Sequence, residues 1–129
     1  GGLAVIGDAP KTLVYRLSRY VNRVGEVIPR ACLEKPPSAE LRHNQTDQDT
    51  LPPYEELDPI VEAYVERGID RDRIIAEGSK PETVDRVIAM VDATEYKRKQ
   101  AAPVLRITGK AFGPGRRFPI VQRFRPSGP

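Results

Sequence analysis

Reactive side chains are scarce in this sequence. The two types best suited to covalent chemistry, cysteine and histidine, each occur once, as Cys32 and His43. A nucleophilic thiol needs a base within hydrogen-bond reach and a third group to orient that base. His43, in Glu40-Leu41-Arg42-His43-Asn44, has no second imidazole to share that work. One cysteine and one histidine also fall short of the ligand set of a structural zinc site. No catalytic residue and no metal ligand is therefore expected here, and Cys32 is expected to be a small, half-buried thiol. A lone cysteine forbids an internal disulfide and suits a reducing cytoplasm.

Charge offers a second kind of chemistry. The net charge is +3, but no acidic residue follows Glu95, and Lys97, Arg98, Lys99, Arg106, Lys110, Arg116, Arg117, Arg123 and Arg125 come after it unopposed. The natural partner of such an end is a polyanion: nucleotide phosphates, a nucleic-acid backbone or an acidic neighbouring subunit. A solvated basic tail is the plain alternative.

These groups must be positioned by a chain with a thin core and 13 prolines. Leu13, Val14, Leu17, Val21 and Val24 follow at helical spacing. Pro10 suits the first turn of that helix, led by Asp8 or Ala9, and Gly25 is its stop signal. From Glu26 to Pro53 no period holds. A loop of that length is unusual inside a compact domain and is commonly a lid or binding loop, so this one is the first candidate for function and is expected to be mobile without ligand.

Three helices should follow. Asp58, with Pro59 behind it, is expected to cap a helix that buries Ile60, Val61, Tyr64 and Val65 and ends at Gly68. Asp70 should cap a short helix carrying Ile74 and Ile75, closed by Gly78. Ser79-Lys80-Pro81-Glu82 fits a capping box, ahead of a long helix with Val84, Val87, Ile88 and Val91 inside, running to about Gln100 before Pro103 ends it. Leu105 to Thr108 could form a short strand. There are no repeats and no heptads, and no run of about 18 apolar residues that could cross a membrane. The chain opens Gly1-Gly2-Leu3-Ala4-Val5-Ile6, so neither a signal peptide nor a natural start at residue 1 is expected. One compact, mainly α-helical unit with short extended ends is the expectation.

Three stretches together resemble one family. The first is Gly7-Asp8-Ala9-Pro10-Lys11-Thr12-Leu13-Val14-Tyr15. The second runs Glu34-Lys35-Pro36-Pro37-Ser38-Ala39-Glu40-Leu41-Arg42 into Gln45-Thr46-Asp47-Gln48-Asp49 and Leu51-Pro52-Pro53-Tyr54. The third is Glu95-Tyr96-Lys97-Arg98-Lys99-Gln100-Ala101-Ala102-Pro103, with Lys110-Ala111-Phe112-Gly113 and Arg116-Arg117-Phe118-Pro119-Ile120 behind it. Their order and spacing are similar to the end of the synthetase domain of bacterial glutamine-dependent NAD⁺ synthetases, across nearly the whole chain. Residues 1–129 would then be the C-terminal portion of that domain.

The resemblance implies a parent domain of α/β class, with the Rossmann-like adenine-nucleotide α-hydrolase fold. It implies ATP-dependent amidation of deamido-NAD⁺ through an adenylate, with Mg²⁺ and with ammonia released from glutamine by a separate amidase domain. It also implies a cytoplasmic homo-oligomer. Residue by residue, Lys11 and Ser38 match positions that contact ATP. Lys97 matches a lysine that binds deamido-NAD⁺, and Tyr96 beside it stands where simpler members have histidine. Asp47 and Gln48 fall in the loop over the nucleotide. The physics is compatible: a lysine is a point charge able to neutralise pyrophosphate, and a helix N-terminus favours anions. A small hydroxyl at Ser38 can donate to ribose or phosphate. The bland alternative is two solvated lysines and a loop serine.

The family's Ser-Gly-Gly-x-Asp-Ser phosphate loop, its acidic magnesium ligand and the amidase nucleophile do not occur in these residues, so this segment alone is expected to be inactive. Two other readings remain. A basic helix-turn-helix module for nucleic acid is disfavoured, because the helix after Ser79 presents Glu82, Asp85, Asp92 and Glu95. An assembly segment buried by partners in the whole enzyme is compatible with the family reading.

Overall fold

The computed structural model describes residues 2–38, 43–111 and 115–121. The chain forms two compact units, one of residues 9–58 and one of residues 1–8 with 59–129.

In the unit of residues 9–58, α1 spans Lys11–Val21. Pro10 is its N-cap, in extended conformation, and not a residue of the first turn; Asp8 does not cap it either. A proline cap has no side-chain acceptor, so the free N–H groups of the first turn need another partner. Thr12 finds one in Asp58, which accepts its backbone N–H at 2.9 Å and its hydroxyl at 2.7 Å. At the far end Asn22, not Gly25, stops the helix. Its side-chain oxygen accepts the N–H groups of Val27 and Ile28, and its amide donates to the Ile28 carbonyl. The apolar stripe exists, yet α1 buries none of it, and Val24 is 91% exposed.

The long loop is less irregular than its sequence suggests. It contains a five-residue helix, α2 (Arg30–Glu34), and a 3-10 turn at Asp47–Asp49 closed by a Thr46–Asp49 capping box. Cys32, on α2, is exposed and not half-buried as expected. So short a helix buries none of its residues and cannot shelter a thiol.

α3 (Tyr54–Val61) starts five residues earlier than an Asp58 cap would dictate, which leaves Pro59 inside the helix. Pro59 has no N–H for the carbonyl one turn back, and the helix then widens into a π-helical segment, Glu62–Arg67. Gly68 ends it with φ 66°, the left-handed C-cap that glycine adopts without strain. Asp70 caps α4 (Arg71–Ala76) by accepting the Arg73 N–H at 3.0 Å, as expected.

The capping box at Ser79 does not form. Pro81 takes the first helical position of α5 (Pro81–Ala93), which makes Lys80 the N-cap and leaves Ser79 one residue too early for its hydroxyl to reach the first turn. The expected single helix to Gln100 is two. Thr94 turns its hydroxyl back onto the Met90 and Val91 carbonyls, and α6 (Glu95–Gln100) starts beyond it.

Ile60, Ala63, Val65, Ile74, Val84, Val87 and Val91 form the core of the unit of residues 1–8 and 59–129; each larger side chain contributes roughly 1.5–3 kcal/mol by leaving water. No strand forms among the described residues. Ala4 and Val104 make one isolated parallel bridge, and Leu105–Thr108 is an extended arm. Asp8, 4% exposed, holds that arm by accepting the N–H groups of Ile107 and Thr108 at 2.7 Å each and the Thr108 hydroxyl at 2.8 Å. Burial pushes the Asp8 carboxyl up, but these donors outweigh it and hold it below the ordinary value.

Candidate functional site

Ser38 lies in the loop that leaves α2, where Pro36 and Pro37 preclude helix continuation. It is half-buried and lines an open cleft of about 460 Å³ with Lys35, Pro36, His43, Asn44, Gln45 and Thr46. The lining includes a lysine, two hydroxyls and two amides able to meet phosphate or ribose oxygens. The loop's two legs are tied across its base, for the Asp47 N–H donates to the Pro37 carbonyl at 2.8 Å. Ala39 to Arg42, within the family string, lie outside the described residues.

Asp47 does more than sit in the loop. Its carboxylate accepts the Tyr54 hydroxyl, and its carbonyl accepts the Leu51 N–H at 2.8 Å. Tyr54 is buried, and that burial, joined by the bond to Asp47, pushes its phenol well above the ordinary range. Tyr54 therefore stays protonated and donates to Asp47 at any physiological pH. Gln48 is exposed on the 3-10 turn. Lys11 opens α1 as an exposed side chain and is not among the residues lining the cleft.

Tyr96 and Lys97 belong to the other unit, both exposed on α6. Six residues make a marginal helix by themselves, so neighbouring contacts must fix this one. Glu95, its first residue, is 1% exposed; its Oε2 accepts Arg98 Nη2 at 2.8 Å and Arg116 Nη1 at 2.9 Å. The other prong of Arg116 donates to Asp92 Oδ1 at 2.7 Å, and the Tyr64 hydroxyl donates to Asp92 Oδ2 at 3.0 Å. Burial, then the charge of Asp92, pushes the Tyr64 phenol up. Arg116 also faces the rings of Tyr64 and Phe118.

This cluster corrects the reading of an unopposed basic end. Arg98 and Arg116 are spent on Asp92 and Glu95, Lys99 stands 3.8 Å from Glu95, and Arg106 donates to the Thr108 and Gly109 carbonyls. Arg123 and Arg125 lie outside the described residues. The acids precede every one of these bases in sequence, so a linear scan separates what the fold pairs. Tyr54 and Arg116 carried no positioning role in the sequence, and Asp58, expected to cap the helix after it, caps α1 instead. The helix-turn-helix reading loses ground too, because Arg98, Arg106 and Arg116 of its basic arm are engaged within the fold.

A family model described as NAD synthase matches residues 1–101. The chain is 48% identical over 128 residues to a glutamine-dependent NAD(+) synthetase of Synechocystis sp., covering 99% of this chain and 23% of that protein. It is 50% identical over 127 residues to the Thermotoga maritima protein of the same name, covering 97% and 22%. Among solved structures it resembles the glutamine-dependent NAD⁺ synthetase of Acinetobacter baumannii in complex with adenosine diphosphate. That likeness has a TM-score of 0.53 at 38% identity, over 88% of this chain and 19% of that one. The chain thus spans about a quarter of the length of the relatives it matches.

Proposed function

Since the chain belongs to the NAD synthase family, we propose that residues 1–129 are the C-terminal portion of the synthetase domain of a glutamine-dependent NAD⁺ synthetase. The whole enzyme is a ligase that spends ATP to turn deamido-NAD⁺ into NAD⁺. Its parent domain has the Rossmann-like α/β fold, to which this segment adds a helical part. The observation that carries the reading is 48% identity sustained over 99% of the chain.

The chemistry is amide formation from a carboxylate, a poor electrophile. ATP converts the nicotinate carboxylate to an acyl adenylate with loss of pyrophosphate. Ammonia, released from glutamine by an amidase domain elsewhere in the enzyme, then displaces AMP. In this segment Ser38 donates to the nucleotide, and Lys11 places positive charge by the phosphates. The Acinetobacter baumannii relative, solved with adenosine diphosphate, supports an adenine nucleotide as ligand. The loop of Asp47 and Gln48 shapes the nucleotide site, with Tyr54 fixing Asp47. Lys97, with Tyr96, contacts deamido-NAD⁺. Mg²⁺ is assigned to residues outside this segment, and no step here runs through it. Among the described residues no three His, Cys, Asp or Glu side chains gather to hold a metal ion. A cytoplasmic homo-oligomer fits the reading, and no helix among the described residues is long and apolar enough to cross a membrane.

The test is steady-state kinetics of the full-length protein with deamido-NAD⁺, ATP, Mg²⁺ and either glutamine or ammonia. Ser38→Ala should raise KM for ATP about tenfold and leave KM for deamido-NAD⁺ in place, and Lys97→Ala should do the reverse. Absence of NAD⁺ formation from either nitrogen source would sink the reading.

A further inference from the structure

We propose that Arg116 is a positioning residue for the deamido-NAD⁺ contact: by bridging Asp92 of α5 and Glu95 of α6 it sets the joint between the two helices and so fixes where Lys97 stands. This rests on the assignment of Lys97 above.

Three observations carry it. First, α6 has six residues, too few to be stable without tertiary support. Second, α5 and α6 meet at a single Thr94, and two arginines span that joint. Arg98 reaches back to the Val91 carbonyl and to the Thr94 hydroxyl, while the Arg116 fork takes one carboxylate from each helix. Third, Arg116 is only 8% exposed, with its guanidinium 5.1 Å from the Tyr64 ring centre and 4.4 Å from that of Phe118. A planar, two-pronged cation held between rings admits few orientations. Lysine could not replace it, having the charge without the fork. Lys97 lies two residues after Glu95 and faces solvent, so any rotation of α6 moves its amine directly. On this reading the cluster acts through α6 and not by contact with the reacting atoms.

The experiment uses the full-length enzyme with Arg116→Lys, Glu95→Gln, Lys97→Ala and the double variant Arg116→Lys/Lys97→Ala. Arg116→Lys should speed amide exchange in α6 while leaving α5 protected. It should raise KM for deamido-NAD⁺ roughly ten- to hundredfold, as misplacing a contact group does, with KM for ATP unchanged. In the Lys97→Ala background it should add nothing, because the residue it positions is gone. Glu95→Gln, which keeps the shape but weakens the pairing, should follow in the same direction and serves if Arg116→Lys fails to fold. The proposal is overturned if α6 exchange does not change, if both KM values move together, or if the Arg116→Lys effect persists without Lys97. A Lys97→Ala enzyme with normal KM for deamido-NAD⁺ removes the Lys97 assignment and this inference with it. A Lys97→Ala defect without an Arg116→Lys defect removes Arg116 alone.

Discussion

The carboxylate of Asp58, in α3, accepts both the backbone N–H and the hydroxyl of Thr12, in the first turn of α1, at 2.9 and 2.7 Å. Asp58 has the residue type of an N-cap, and it does cap a helix, but through Thr12, 46 residues earlier in the chain. α1 starts after a proline with no side-chain acceptor, so this contact takes the place of a local cap. Lys11 is the neighbour of Thr12, and the same carboxylate therefore fixes the backbone from which Lys11 projects.

Asp58→Ala should cost α1 about 1 kcal/mol, the usual loss of a cap, and Asp58→Asn, which keeps an acceptor, should cost less. Amide hydrogen exchange gives the readout: Thr12 and its neighbours should lose about fivefold protection in Asp58→Ala. Equal exchange in all three proteins would show that the contact contributes nothing.

Gly68 has φ 66° at the end of the π-helical segment. A Cβ there would meet only Lys110 Nζ at 3.5 Å, an ordinary contact. The cost of Gly68→Ala is therefore conformational, about 1–2 kcal/mol, and Gly68→Asn should be milder because asparagine tolerates the left-handed region. Denaturant unfolding of the two variants should rank them alanine below asparagine, and the opposite order would contradict a left-handed cap.

Tyr54→Phe should free Asp47 and reveal itself through pH. Burial, then the bond to Asp47, raises the folded Tyr54 phenol well above its unfolded value of 10.0. Between those two values the unfolded chain ionises and the folded one does not. Stability from this group is full below pH 10 and falls as pH rises, by up to about 1.4 kcal/mol per pH unit. The wild type should thus lose stability between pH 10 and 11 more steeply than Tyr54→Phe. Near pH 7, where the phenol is protonated in both states, the variant should be less stable by about 1 kcal/mol for the lost hydrogen bond. Parallel pH profiles would show that Tyr54 is solvated.

Asp8→Asn bears on the other unit. Burial raises the Asp8 carboxyl, but its two backbone donors and the Thr108 hydroxyl overcome this and lower it. A lowered carboxyl contributes stability above the unfolded value of about 4 that is lost as pH falls through the folded one. Asparagine has one acceptor oxygen where three donors converge, so the Ile107 and Thr108 amides should exchange faster at neutral pH. The difference from wild type should shrink in acid. A variant difference that stays constant from pH 7 to pH 3 would locate the effect elsewhere.

Legibility in the sequence followed range. Val84, Val87 and Val91 stand at helical spacing and are buried in one face of α5; Asp70 caps α4 as a residue directly before its helix should; and Gly68 stops its segment by local conformation. Each depends on neighbours within about two turns. Where two local signals competed, the stiffer one won: Pro81 fixed the start of α5 and displaced the Ser79 box, because a locked φ outweighs a hydroxyl that can bond elsewhere. Asp8, Asp58 and Arg116 were illegible in their roles because each partner is distant in sequence. The same holds for the candidate site. Ser38 and Asp47 fall in a loop that the absence of any period marks out, whereas Tyr54 beneath Asp47 carries no local sign of its task.

Residues 1–129 alone should form no detectable NAD⁺ from deamido-NAD⁺, ATP, Mg²⁺ and ammonia. Adenylation needs the triphosphate held by several backbone N–H groups at once, as in the family's Ser-Gly-Gly-x-Asp-Ser loop, which does not occur in these residues. Side chains such as Lys11 and Ser38 cannot reproduce a cradle of fixed amide dipoles. In the proposed reading they add charge and a donor to a site that other parts of the full-length protein build. Supplying those parts as a separate polypeptide should restore synthesis to the extent that the two pieces associate. Turnover by the segment without it, above a heat-treated control, would mean that the chain holds a nucleotide site of its own.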